Sequence, residues 1–172
     1  MILIFSFFSP LLFAISGQNG NVLPKKASPK VKLTHNLAKD GRLAERKGLP
    51  ILLVFSASDC SYCELLEAEI LRPMLLSGDY TDKVIIRKVN IDEDSAIVRD
   101  FNGKKTPLND IVLRYGVYVT PTVIFVNHEG TELAKRLIGI NTVEYYGGDV
   151  DAAIEKSLKK IRNSDPLENA RK

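Results

Sequence analysis

At 172 residues, 45% of them hydrophobic, the chain is long enough for one domain with a closed core, and its composition is not that of a disordered protein. A net charge of +3, from 24 basic and 21 acidic residues, is too mild for a nucleic-acid binder, and the cluster Lys25, Lys26, Lys30 and Lys32 has no interleaved aromatics. The two histidines, His35 and His128, stand far apart and tryptophan is absent, which excludes a histidine-rich metal site. No metal and no cofactor is expected.

Residues 1–15 carry no charge and are almost wholly apolar. The run is shorter than the roughly 20 residues of a membrane span, and small residues follow at Ala14-Ile15-Ser16-Gly17. Residues 1–16 therefore read as a signal peptide cut near Ser16–Gly17. No Lys or Arg precedes the run and four Lys follow it, so an uncleaved N-terminal membrane anchor is the alternative. Either way the domain faces an oxidising compartment. Residues 17–33, with Gly17, Gly20, Pro24 and Pro29, read as a linker, 34–163 as the domain and 164–172 as a polar tail.

Residues 34–47 predict a weakly amphipathic helix with Leu37, Ala38, Leu43 and Ala44 on its apolar side. Gly41 weakens it by about 1 kcal/mol relative to Ala, and Gly48 and Pro50 end it. Residues 51–55 are apolar on both faces of a period-two strand, which predicts a central strand covered by helices on both sides. Ser58 or Asp59 caps the next helix, 60–71. Leu65, Leu66, Ile70 and Leu71 form its buried stripe, Glu64, Glu67 and Arg72 read as solvated, and Pro73 stops or kinks it. A second core strand covers 84–91, interrupted by Lys88. Residues 92–110 are polar and turn-rich, with Ala96, Ile97, Val98 and Phe101 marking a short packed element.

A short helix follows at 109–115, ending at Gly116. Strands 122–126 and 131–138, joined by Asn127-His128-Glu129-Gly130, predict an antiparallel hairpin. The final amphipathic helix, 149–161, turns Val150, Ala153, Ile154, Leu158 and Ile161 inward. This order implies an α/β fold, a mixed central sheet with helices on both faces.

Cys60 and Cys63 are the only cysteines, and they fall where the buried strand gives way to a helix. A helix start offers unpaired N–H groups and a positive dipole end, and both favour the reactive thiolate. Cys60, nearer that end and nearer solvent, is assigned as nucleophile; Cys63, one turn further in, resolves the mixed disulfide. A structural disulfide is disfavoured because so short a loop gains little. Zinc lacks further ligands, and haem attachment needs a His where Glu64 stands. A second constellation, Val119-Thr120-Pro121-Thr122, precedes an apolar strand. An X–Pro bond is cis at a cost of only about 0.5–1 kcal/mol, although proline at a strand start also occurs without special function.

Over about residues 34–161 the chain resembles the thioredoxin superfamily. The resemblance rests on 51–63, on Lys88-Val89-Asn90-Ile91-Asp92, on Tyr115-Gly116-Val117-Tyr118-Val119-Thr120-Pro121-Thr122, and on Gly139 after the last strand. Within the superfamily it is most similar to exported bacterial thioredoxins of the SoxW type, which share the signal peptide, a Tyr before the second Cys and an insert near 100–113. The resemblance implies a thioredoxin fold with Pro121 cis against the dithiol. It implies that the Thr120 backbone binds a client strand, that Gly139 keeps the groove wall low, and that Tyr62 and Tyr118 border it. It implies a periplasmic, monomeric protein-disulfide reductase. Its clients would be sulfur-oxidation or cytochrome c maturation proteins, and a membrane electron donor would re-reduce it.

Two departures stand out. Val54 occupies the place of the buried Asp of cytoplasmic thioredoxins, which leaves Cys63 without its usual proton acceptor and the role of Lys88 open; Glu64 or water could serve. No His lies between the cysteines, and Asp59 adjoins Cys60; both favour a reductant. The span from thioredoxin to a strong oxidase is about 150 mV, or roughly 7 kcal/mol. An oxidase or isomerase, and a non-catalytic peptide-binding module, are the alternatives.

Overall fold

In a computed structural model, residues 29–164 are described; the segments read as signal peptide, most of the linker and the polar tail lie outside them. The chain runs through α1 (Leu37–Lys47), β1 (Ile51–Ser56), α2 (Ser61–Leu66), a π-helical turn (Glu67–Leu71), α3 (Arg72–Ser77), β2 (Ile85–Asn90), β3 (Ile97–Arg99), β4 (Lys105–Pro107), α4 (Leu108–Arg114), β5 (Thr122–Val126), β6 (Leu137–Ile138) and α5 (Val143–Ser164). The main sheet has the order β2-β1-β5-β6. β1 and β2 are parallel; β5 is antiparallel to both β1 and β6. Among the described residues, no helix is long and apolar enough to cross a membrane.

β1 is buried along its whole length, as its unbroken apolar run requires of a strand covered on two faces. Two neighbours on β2 show which helices lie where. Arg87 reaches Asp40 of α1 at 2.6 Å, while Lys88 reaches Glu67 of the π turn at 2.7 Å. Successive strand residues point to opposite faces, so α1 covers one face and the α2–α3 segment the other. α5 packs on the second face, where a Cβ on Gly147 would lie 3.8 Å from the Ile70 side chain.

α1 starts at Leu37 rather than 34. Asn36 caps it, its side chain accepting the Lys39 N–H at 2.9 Å, while the Thr34 hydroxyl donates to Asp40. Residues just before it lie along β2: the Lys88 N–H donates to Lys32 O and the Thr34 N–H to Lys88 O, both at 2.9 Å. Val31, inside the stretch read as linker, is thereby buried. The helix ends at Gly48, whose N–H caps Ala44 and Glu45.

The dithiol helix does not stop at Pro73. Proline lacks an N–H and its ring clashes with the carbonyl four residues back. Here the turn before it is widened, with the Arg72 N–H bonded to Glu67 O five residues back, and the helix passes the proline and runs to Ser77. The 92–110 stretch forms a separate two-stranded antiparallel sheet, β3 with β4; Val98 is buried but Ile97 is exposed. β6 is far shorter than the strand expected over 131–138. Val126 pairs with Glu132 and Thr122 with Ile138, so four steps on β5 face six on its partner. The surplus turns Arg136 toward the Tyr115 carbonyl and Glu132. α5 begins at Val143, earlier than expected, which brings buried Tyr146 into the core.

Two predictions follow from this packing. A Cβ at Gly41 would lie 2.4 Å from the His128 carbonyl oxygen. Gly41→Ala should therefore destabilise by about 1–3 kcal/mol in chemical denaturation, against the helix-propensity gain of about 1 kcal/mol. Asp100, buried, accepts both Arg114 N–H groups at 2.6 and 2.8 Å and the Phe101 N–H at 2.7 Å. The Arg114 hydrogen bonds are the main reason its carboxyl lies below the usual range. That contribution is present above the unfolded carboxyl pKa of about 3.9 and lost as the pH falls through the lower folded value. Asp100→Asn should cost about 1–2 kcal/mol at neutral pH, and the gap in Tm to wild type should narrow as the pH drops below about 4.

Candidate active site

The loop after β1 is tied to the end of β2. The Ile91 N–H donates to Ser56 O at 2.8 Å and the Ser58 N–H to Asp92 Oδ2 at 2.7 Å. The Ser58 backbone hydrogen bond is the first cause that holds the Asp92 carboxyl below its usual value. Neither Ser58 nor Asp59 caps the next helix. Cys60 does. It keeps an extended backbone (φ −126°, ψ 95°), and its Sγ accepts the Cys63 N–H at 3.2 Å. Its carbonyl accepts the Cys63 and Glu64 N–H groups at 2.9 and 3.1 Å. Sulfur therefore stands where a helix start gathers unpaired donors and positive potential.

Cys60 and Cys63 form a disulfide with Cα atoms 5.2 Å apart. Cys60 is half-buried, and Cys63 is 7% exposed. Tyr62, between them, is 59% exposed on the first helical turn.

The second constellation reaches the same edge of the sheet through strand pairing. β5 runs antiparallel to β1 with Phe55 opposite Thr122. The residues just before Thr122 therefore lie at the end of β1 from which the dithiol loop departs. The Thr120–Pro121 peptide is cis. Thr122 is buried and its hydroxyl donates to Val119 O at 2.6 Å, closing the loop. The Gly139 N–H donates to Pro121 O at 2.8 Å. Gly139 has φ 65°, and an added Cβ would meet nothing within 4 Å, so it leaves open space beside the loop. Thr120 is half-buried, and its backbone N–H and C=O have no hydrogen-bond partner among the described residues. Tyr118, Val119 and Ile138 are exposed, with Tyr118 at 81%. Apolar surface thus lies on the Pro121 loop and on β6 next to it.

Two site residues escape the sequence reading. Asp92 belongs to a segment that carries the family resemblance but is given no role there, yet it anchors the dithiol loop. Glu67, expected to be solvated, has a side chain only 15% exposed. It accepts from Lys88 Nζ at 2.7 Å and from the Val31 N–H at 3.3 Å. Its burial depends on β2 and on residue 31, which no local pattern on the helix could reveal.

A family model described as a thioredoxin-like domain matches residues 37–147. Among solved structures, the chain is similar to Fasciola hepatica thioredoxin at 19% identity, over 74% of this chain and 99% of that one, with a TM-score of 0.50. It is similar to oxidised mitochondrial thioredoxin 3 from Saccharomyces cerevisiae at 20%, over 73% and 93%, with a TM-score of 0.49. It is similar to a poplar thioredoxin h at 21%, over 69% and 95%, with a TM-score of 0.48.

The unequal exposure of the two sulfurs predicts an order of modification. After reduction, limiting iodoacetamide should label Cys60 before Cys63, by about tenfold or more given the thiolate preference of alkylation; peptide mass spectrometry reads the ratio. Equal labelling would contradict the assigned roles.

Proposed function

The chain belongs to the thioredoxin-like domain family, and on that premise we propose that it is an exported protein-disulfide reductase of the SoxW type. The observation that carries the reading is the placement of Cys60: a sulfur that caps a helix, faces its buried partner, and shares a sheet edge with the Thr120–Pro121 loop.

The reaction uses two exchanges. In the reduced protein the Cys60 thiolate is stabilised by the Cys63 N–H and the helix dipole. It attacks one sulfur of a client disulfide. The Cys60–client bond forms, the client S–S bond breaks, and the departing client thiolate takes up a proton. Cys63 then attacks Cys60 Sγ, releasing the second client thiol and leaving the Cys60–Cys63 disulfide. Two electrons pass to the client and are restored by a membrane dithiol donor. The free N–H and C=O of Thr120 pair with the client backbone as an added strand, while Tyr62, Tyr118 and Val119 supply apolar contact beside it. Gly139 leaves room for that strand. Asp59, exposed and next to Cys60, disfavours the thiolate and supports the reducing direction over an oxidase or isomerase.

Residues 1–16 direct the domain to the periplasm, either as a cleaved signal or as an anchor. There the protein acts as a monomer on sulfur-oxidation or cytochrome c maturation proteins. The same apolar rim would also suit a non-catalytic peptide-binding module, and this second reading is separable by activity.

With dithiothreitol as electron source, the wild type should reduce insulin and Cys60→Ser should lose at least about 99% of that rate. Cys63→Ser should accumulate mixed disulfides in the periplasm, and mass spectrometry then names the client. Mixed disulfides from Cys60→Ser but none from Cys63→Ser would reverse the two roles. Unchanged peptide affinity with no insulin reduction would favour the binding module.

A further inference from the structure

We propose that Glu67 is the proton acceptor for Cys63, a task moved in this chain from the central strand to the dithiol helix; the inference rests on the oxidoreductase reading above. A thiol buried in apolar surroundings resists ionisation. Cys63 is 7% exposed, so its attack on Cys60 needs a base that takes the proton as the S–S bond forms.

The strand beneath offers none. Val54 stands in register with Lys88 across the parallel β1–β2 pair, so both side chains leave the same face of the sheet. Lys88 bonds Glu67, which identifies that face as the one covered by the dithiol helix. Along β1 this face carries Leu52, Val54 and Ser56, all buried and none of them an acid.

The helix supplies the carboxylate instead. Glu67 follows Cys63 by four residues, and its N–H donates to Cys63 O, so the intervening turn is a regular α turn. Residues at that spacing lie on one face with Cβ atoms about 5–6 Å apart. The Glu67 side chain is 15% exposed and held at both oxygens, Oε1 by the Val31 N–H and Oε2 by Lys88 Nζ. Each carboxylate oxygen has two lone pairs, so acceptor capacity is left on both. Among the other charged groups, Arg72 follows on the same helix with its Nε buried and without a hydrogen-bond partner among the described residues. Glu64, on the same helix, and Asp59 in the loop are exposed; Asp92 holds the Ser58 N–H; Lys30 and Lys32 beside Val31, and Glu144 and Asp149 of α5, are exposed. Lys88 is the charged partner that positions Glu67.

In the resolving step the Cys63 proton passes to Glu67, directly or through one water. The Cys63–Cys60 bond forms, the Cys60–client bond breaks, and the client leaves as thiolate. In the reverse direction Glu67 returns the proton to Cys63.

The test separates the two exchanges by stopped flow. Attack by Cys60 is measured in the Cys63→Ser background, and resolution in the protein with both cysteines. Glu67→Gln should slow resolution by about tenfold or more near neutral pH, the lower range of general-base contributions, and change Cys60 attack by less than about twofold. The deficit should shrink as the pH rises, because hydroxide then takes the proton that the missing carboxylate would have accepted. Glu67→Asp should restore part of the rate, and circular dichroism melts confirm that both variants fold. A Glu67→Gln protein that resolves at the wild-type rate with the wild-type pH profile overturns the proposal alone. Equal slowing of both exchanges also overturns it, in favour of a structural ion pair. A wild type that resolves no mixed disulfide overturns this and the oxidoreductase reading together.

Discussion

The antiparallel register of β1 against β5, with Phe55 opposite Thr122, is the constraint on which the site depends. It places the exit of one strand beside the entry of the other, so the dithiol loop and the Thr120–Pro121 loop meet without either being long. A slip of one residue would send every side chain of β5 to the other face, and the five buried residues Thr122, Val123, Ile124, Phe125 and Val126 make that slip costly. The parallel partner β2 completes the arrangement. Its pairing carries Asp92 to the Ser58 N–H, in the loop from which Cys60 opens the helix.

The helix that carries the dithiol is built to pass an obstacle. Pro73 could end it, as its chemistry predicts. The π turn from Glu67 to Leu71 displaces the carbonyl register ahead of the proline, and the helix goes on. Such turns recur at functional sites. Here the widened segment starts at the residue whose carboxylate crosses to Lys88, one turn below Cys63.

What could be read from the chain and what could not divide along a physical line. β1 and β5 were legible because their burial is continuous and written as apolar runs, and β2 because apolar residues stand on either side of its half-buried Arg87 and Lys88. The dithiol was legible because its chemistry is carried by residue type at fixed spacing, whereas the cis form of Pro121 and the place of Gly139 were expected only through the family resemblance. The cap at Cys60 was not legible, because Ser58 and Asp59 are the better caps by residue type, and the helix opens after them in a loop that Asp92, 34 positions beyond Ser58, holds in place. Nor was the shortness of β6, where Arg136 turns toward the Tyr115 carbonyl and Glu132 in a stretch that otherwise alternates like a strand. Gly41 looked like a weak point in α1; it is instead the place where the helix meets the backbone at His128. Glu67 and Val31 needed the fold itself, since the contacts of the Glu67 carboxylate with the Val31 N–H and with Lys88 of β2 join residues far apart in the chain.

Adjacent residues of β2 offer an internal comparison. Arg87 and Lys88 point to opposite faces, and each holds one helical carboxylate, Asp40 or Glu67. Asp40 is further bonded by the Thr34 hydroxyl, so its pair ties α1 and residue 34 to the sheet and no reactive group lies on its helix. Glu67 likewise has one partner on each oxygen, the Lys88 ammonium and, over a longer distance, the Val31 N–H, and it shares a helix face with a buried sulfur. Burial of an ion pair costs desolvation on either face. On the α1 face two hydrogen bonds, one to each oxygen of Asp40, offset that cost. On the dithiol face the same number of partners holds a carboxylate four residues after Cys63, so what sets Glu67 apart is the buried sulfur on its helix and the longer contact at Oε1, not the count of its hydrogen bonds.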